Sequence, residues 1–222
     1  MFAPVYPMMI PAPVAPVWTL VTPGDALAVD LDTVKTFLHR PLEDTFFDDE
    51  ITRFIKVATA ALENHMQAVL VDSVWQCTLP FWFDRIRINK RPFTSVSQID
   101  YVAAGTGTIT TILPEDGVYV ALPITQSCGM VMLGDGQQWP AIPTRQDAVR
   151  IKVRAGFETL PVDVHEALLL TIAALDGGRS EQGSGNSNQT VYAMKHTKGV
   201  ALVPVMAQAL VNNWRLTTLW SN

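Results

Sequence analysis

The residues of this 222-residue chain best suited to chemistry are four histidines, two cysteines and one run of three acids. A metal site read from sequence would need two ligands at helical spacing. None of His39, His65, His165 and His196 has a second His or Cys at i, i+4. His165 and Glu166 are adjacent, and adjacent helical residues face different directions. Cys77 and Cys128 lack CxxC spacing, which argues against a Cys-based zinc site and a disulfide scaffold and fits a reducing compartment. Asp48, Asp49 and Glu50 imitate a carboxylate cluster, but acids at the start of a helix have a structural reason of their own. Gly105-Thr106-Gly107 and Gly134-Asp135-Gly136 are GxG fragments without the glycine, lysine or helix of a phosphate loop, and read as turns. There is no GxSxG elbow. The expectation is a chain without catalysis, cofactor or resident metal.

Composition narrows the alternatives. Hydrophobic residues make up 48% and charged residues 17%, below the roughly 25% charge typical of free-standing soluble domains. Low charge suits either a large core or extensive contact with other protein. The net charge of −5 argues against a general nucleic-acid binder. It is unevenly placed: residues 1–72 hold ten acids and four bases, whereas Arg85, Arg87, Lys90 and Arg91 cluster around the single acid Asp84. Arg145, Arg150, Lys152 and Arg154 form a second basic cluster around Asp147. Acidic and basic surfaces on one subunit suit head-to-tail packing, or are ordinary solvated faces. Residues 1–24 carry no charge, yet Pro4, Pro7, Pro11, Pro13 and Pro16 break any apolar helix, so a signal peptide and a membrane span are not expected.

The elements follow from periodicity. Six of the fifteen prolines fall in residues 1–23, among Val, Met, Tyr6 and Trp18, which reads as an extended apolar arm. Asp30 caps a short helix with Leu31, Val34, Phe37 and Leu38 on one side, stopped by Pro41. Ile51, Phe54, Ile55, Ala58, Leu62, Met66 and Val69 form the stripe of a long helix. From Ser73 the period changes to two, with strands expected at Trp75–Leu79, Ile86–Ile88, 95–103, 108–113, 117–122, 129–133 and Ala148–Ala155. The last alternates Val149, Ile151 and Val153 with the basic row Arg150, Lys152 and Arg154. Pro161 opens a third helix that Gly177-Gly178 should end. A Gly/Ser-rich stretch then precedes a last helix carrying Met206, Leu210, Trp214 and Trp220. The class is α+β: a helical body with an inserted antiparallel β region. The expected boundaries are an arm at 1–24, the α+β domain at 25–176, a flexible linker at 177–199 and a tethered helical arm at 200–222.

Taken in order, LVTPGDALAVDLDTVKTFLHR, DDEITRFIKVATAALENHMQAVL, SVWQCTLPFW, RIRINKRPFTSVSQIDYV, the Trp139-Pro140 segment, VRIKVRAGFE and LPVDVHEALLLTIAAL resemble the head–tail connector (adaptor, or head completion) proteins of tailed bacteriophages and gene transfer agents. Glu63 stands where that family tends to have an acid. The likeness spans Leu20 to about Leu216. The proline-rich start and residues 177–190 look longer than in the family, and VPVMAQALVNNWRL follows its closing segment only loosely.

The resemblance implies a structural protein of the virion neck, assembled in the host cytoplasm. It would be a homo-oligomeric ring, usually of twelve copies, beneath the portal protein. Such a ring extends the channel through which DNA passes without sequence-specific binding, and offers a platform to a stopper or tail-completion protein. On this reading Met206, Leu210, Trp214 and Trp220 anchor the portal from a tethered helix, so residues 200–222 should be dispensable for folding. Tyr6 and Trp18 contact neighbours from the arm, and Arg150, Lys152 and Arg154 meet an acidic neighbouring subunit. The alternatives are a stopper or tail-completion protein, or a small hydrolase whose site is assembled by tertiary contacts. No membrane partner is expected.

Overall fold

The computed structural model describes residues 16–125, 128–180 and 202–214. Two helices form where the acids stand. Asp30 caps α1 (Leu31–Phe37) by accepting the Thr33 N–H at 2.8 Å and the Thr33 hydroxyl at 2.6 Å. Three acids fill the first turn of α2 (Asp48–Met66), where they offset the macrodipole. The stripe read from the sequence, Ile51, Phe54, Ile55, Ala58, Leu62 and Met66, is buried. With α1 and α3 (Val162–Ser180) it encloses a helical core that includes Val34, Val164, Leu168 and Ile172.

Most of the β region lies between α2 and α3, with one strand ahead of α1, and its ladders are antiparallel. One sheet has five strands in the order β1 (Val17–Thr22), β2 (Ser73–Leu79), β8 (Val149–Ala155), β4 (Phe93–Val102) and β5 (Ile109–Ile112). The other orders β3 (Arg85–Ile88), β7 (Cys128–Leu133) and β6 (Tyr119–Thr125). Both contribute to a second core. Cys77, Val96, Ile99, Ile151 and Val153 from the larger sheet meet Ile86, Ile88, Tyr119 and Val131 from the smaller. Gly129 of β7 lies so close to the Phe93 ring that a Cβ there would sit 2.5 Å from it, which lets the two sheets touch.

Arg91 joins the two cores. It is 5% exposed, and its Nε donates to the Gln67 carbonyl at 2.8 Å while Nη2 donates to the Met66 carbonyl. The last carbonyls of a helix have no intrahelical partner, and a cation there also complements the dipole. Around it, Val69 N–H donates to Arg91 O at 2.7 Å, Gly156 N–H to Pro92 O at 3.0 Å and Phe157 N–H to Leu70 O at 3.3 Å. The end of α2 is thereby stitched to the strands on both sides.

Three expectations change. Residues 1–24 were read as one arm, but Val17–Thr22 is an edge strand, with Trp18 opposite Cys77. Proline density misled here, because Pro16 needs only to precede the first strand residue. Helix α3 runs through Gly177-Gly178 to Ser180 rather than stopping before them. A glycine costs a helix about 1 kcal/mol, a weak stop signal once the helix is already packed. The last helix is not a detached arm. In α4 (Val205–Val211) and its approach, Val203, Ala207 and Val211 are buried in the helical core, with Leu210 and Trp214 packed against it. Trp214 Nε1 donates to Asp163 Oδ2 at 2.6 Å, and its ring meets Phe157 edge-on at 5.4 Å. Removing residues 200–222 would therefore open the core, contrary to the sequence expectation. The expected linker from 181 onward, Tyr6 and Trp220 lie outside the described residues.

Replacing Arg91 by Met should lower stability by about 3 kcal/mol, because two helix-end carbonyls lose charged donors in a buried place. A urea titration followed by circular dichroism checks this; a midpoint equal to wild type would show that the junction is not held by Arg91.

Candidate functional site

Among the described residues no group of three or more His, Cys, Asp or Glu is placed to hold a metal ion. Burial pushes the Cys77 thiol up to about 12, so it stays protonated at neutral pH and is a poor nucleophile. What the fold presents instead is a set of surfaces.

The basic row of β8 is the first. Arg150, Lys152 and Arg154 do stand on the outer face of the larger sheet, but each meets an acid of its own chain. Arg150 Nη2 lies 2.8 Å from Asp147 Oδ2, Lys152 Nζ 3.4 Å from Asp100 Oδ2, and Arg154 pairs with Asp72. Hydrogen bonds from Arg145 and Arg150 hold the Asp147 carboxyl well below its usual range, at about 2. Asp100 is pushed up by burial, but the Thr111 hydroxyl, the Gln98 amide and Lys152 outweigh this and its pKa is lowered. Each cation of the row is thus paired within its own chain, Asp147 being shared between Arg150 and Arg145.

A second surface surrounds Trp18. Lys90 Nζ sits 3.5 Å from the centre of the Trp75 ring and 5.8 Å from that of Trp18, a cation resting on two aromatic faces. Beneath it, Glu63 of α2 accepts the Leu70 N–H at 2.8 Å. Burial pushes the Glu63 carboxyl up from its ordinary 4.5, against the Leu70 and Val71 N–H groups and Lys90. A hollow of about 460 Å3 opens here, between Trp18, Trp75, Lys90, Asn64 and Pro16. In the sequence Trp75 reads as part of an ordinary alternating strand, since the two strands, the turn after β3 and the helix that build the cluster are far apart along the chain.

The other anchors divide. Leu210 and Trp214 spend their surface on their own core, whereas Met206 is 55% and Val205 81% exposed on the outer side of α4.

Two further surfaces went unread. The outer face of the smaller sheet carries two cross-strand rungs, Arg85–Met132–Val120 and Arg87–Met130–Leu122. Val120 and Leu122 are 42% and 46% exposed. Their alternation with inward Tyr119 and Ala121 was present in the sequence, but period two alone does not say which row is covered. The second is the loop between α1 and α2, where Phe46 is 83% exposed. Lys35, nearly fully buried, fixes that loop by donating to the Leu42 and Asp44 carbonyls at 3.1 and 2.9 Å and pairing with Asp48 at 2.5 Å.

Neither a protein-family model nor a curated protein matches this sequence. Solved structures do. A chain in the neck of an empty gene transfer agent particle, computed with C6 symmetry, superposes with a TM-score of 0.67 at 19% identity, covering 93% of this chain and 98% of that one. A chain in the virion of a native gene transfer agent particle gives 0.66 at 20% identity, over 92% and 98%. A chain in the neck of a native particle computed with C12 symmetry gives 0.59 at 20% identity, over 93% and 98%. The fold is shared along nearly the whole length of both partners.

Two outcomes follow. Lys152→Glu sets a second carboxylate beside buried Asp100 and should cost about 1 kcal/mol, read as a lower melting temperature. An unchanged melting temperature would return the row to the solvent. Glu63→Gln tests the buried carboxyl. Because its folded pKa is raised, its stabilising share is full below 4.5 and is lost as pH rises through the folded value. The Gln variant should therefore gain on wild type between pH 4 and pH 8 in parallel urea titrations, and a pH-independent difference would refute the shift.

Proposed function

We propose that this protein is a structural adaptor of a virion neck, a ring of identical subunits that sits under a portal protein, continues its DNA channel and receives a stopper or tail-completion protein. The observation that carries the reading is the whole-length likeness to neck chains of gene transfer agent particles, 98% of whose length is matched. The ordered segments from Leu20 onward point independently to the same family. A ring of twelve is in keeping with the C12 symmetry of one of those necks. Scaffolding also suits those described ionisable side chains that pair with one another or finish helix ends.

The portal contact is placed on the outer side of the C-terminal helix. Val205 and Met206 project from it, with exposed Leu202 just ahead of it, while Ala207 and Val211 hold it to the body, an apolar ridge of the kind that fits a groove. Trp220, and Tyr6 of the proline-rich start, extend the contact to the portal and to the neighbouring subunit respectively. Trp18 lies at the sheet edge from which that start departs.

Changing Val205 and Met206 together to Asp should leave the melting temperature within about 2 °C of wild type, both being exposed, and reduce capture by immobilised portal rings at least about tenfold. Full capture by the variant would remove α4 from the contact. A wild-type chain that binds a purified adaptor ring but not the portal would make the protein a stopper instead.

A further inference from the structure

Among the described residues, no layer covers the outer face of the smaller sheet. Its two rungs present Val120, Leu122, Met130 and Met132 beside Arg85 and Arg87, and among these the valine and leucine are more than two-fifths exposed. An apolar row edged by cations is unlike a phosphate-binding surface, where apolar side chains have no role, and resembles the core of a protein contact. Its complement is on the same chain. The loop ahead of α2 displays Phe46 and Leu42 among the exposed acids Glu43 and Asp49. Lys35 and Asp48 hold that loop in place, so little ordering entropy is lost when it docks.

The two surfaces cannot meet within one molecule. Arg91 ties the C-terminal end of α2 to the strand region, and 19 residues of helix, about 28 Å at 1.5 Å per residue, carry the Phe46 loop away from that junction. Two complementary patches on separate parts of one folded chain define a heterologous contact, which closes into a ring when the rotation allows. We propose that the outer face of β3, β7 and β6 receives the Phe46 loop of the next copy of this chain. In that contact Phe46 and Leu42 lie on the Val120–Met132 and Leu122–Met130 rungs, and Glu43 and Asp49 face Arg85 and Arg87. The proposal deepens the ring reading by naming its subunit contact, and it rests on that reading only for the assembly being closed.

The design of the contact supplies its own test. Arg85→Glu with Arg87→Glu makes a subunit acidic at both ends, and Glu43→Arg with Asp49→Arg makes one basic at both ends. All four positions are exposed, so both variants should fold with wild-type circular dichroism. In sedimentation velocity on the full chain, wild type should form oligomers. Each variant alone should need at least a tenfold higher concentration to do so, and a one-to-one mixture should regain wild-type assembly because every contact in an alternating ring is again complementary. Phe46→Ser should weaken assembly in the same assay without changing its salt dependence. A wild-type chain that remains monomeric at its highest soluble concentration overturns the contact, and so does a mixture that stays dissociated or a pair of variants that assemble like wild type. Portal capture is scored separately. Charge-rescued oligomers that ignore the portal would sink the adaptor reading and leave this contact standing, whereas portal-bound rings indifferent to the reversals would do the opposite.

Discussion

The architecture depends on one buried guanidinium. A chain that builds a helical core and a strand core in sequence has to fix one against the other, and apolar packing alone is not directional enough to do so. Arg91 supplies direction: a planar fork of donors reaching back from the strand region to the Met66 and Gln67 carbonyls. Desolvation works against its charge, and the cost is offset only where the acceptors are aligned. Here they are a helix terminus, whose partial negative charge is fixed in space. The hydrogen bonds from Val69, Gly156 and Phe157 around it lie at the same seam. Without the seam the helix and sheet layers would remain two small cores with a free hinge between them.

Much of this fold was legible because its elements are regular. The stripe from Ile51 to Met66 and the alternation from Val149 to Val153 record burial directly, and the capping role of Asp30 needs only its neighbour Thr33. The failures share one cause, the absence of any local trace of what lies opposite. Asp72, Asp100 and Asp147 are scattered over seventy-odd positions of sequence, yet they converge on one strand and neutralise its basic row. Val203, Ala207 and Val211 look like the spine of any small amphipathic helix, and composition upstream of them says only that the tether is long, not where its end docks. Edge strand β1 was hidden by the prolines around it, since the pairing partner that makes it a strand lies fifty to sixty residues away.

The candidate site was less legible than the fold for a related reason. Interface residues obey no motif; they are the members of regular elements that happen to be left uncovered. Leu122 and Phe46 are ordinary apolar residues in the sequence, and only their exposure in the folded chain distinguishes them from the core. The Lys90 pair with Trp75 and Trp18 likewise exists only once β1, β2 and the turn after β3 are brought together. The family resemblance filled part of that gap, because segment order carries information about assembly that single residues do not.

The internal pairing along β8 bears on what the larger sheet looks like from a distance. Opposite charges a few ångströms apart create a field that falls off as that of a dipole, and within a Debye length of about 10 Å in ordinary salt little of it survives. Beyond that distance such a face is electrically quiet, since each cation is answered a few ångströms away by an acid of the same chain. Three ion pairs on one face therefore shape the field close to the sheet and leave little of it farther out.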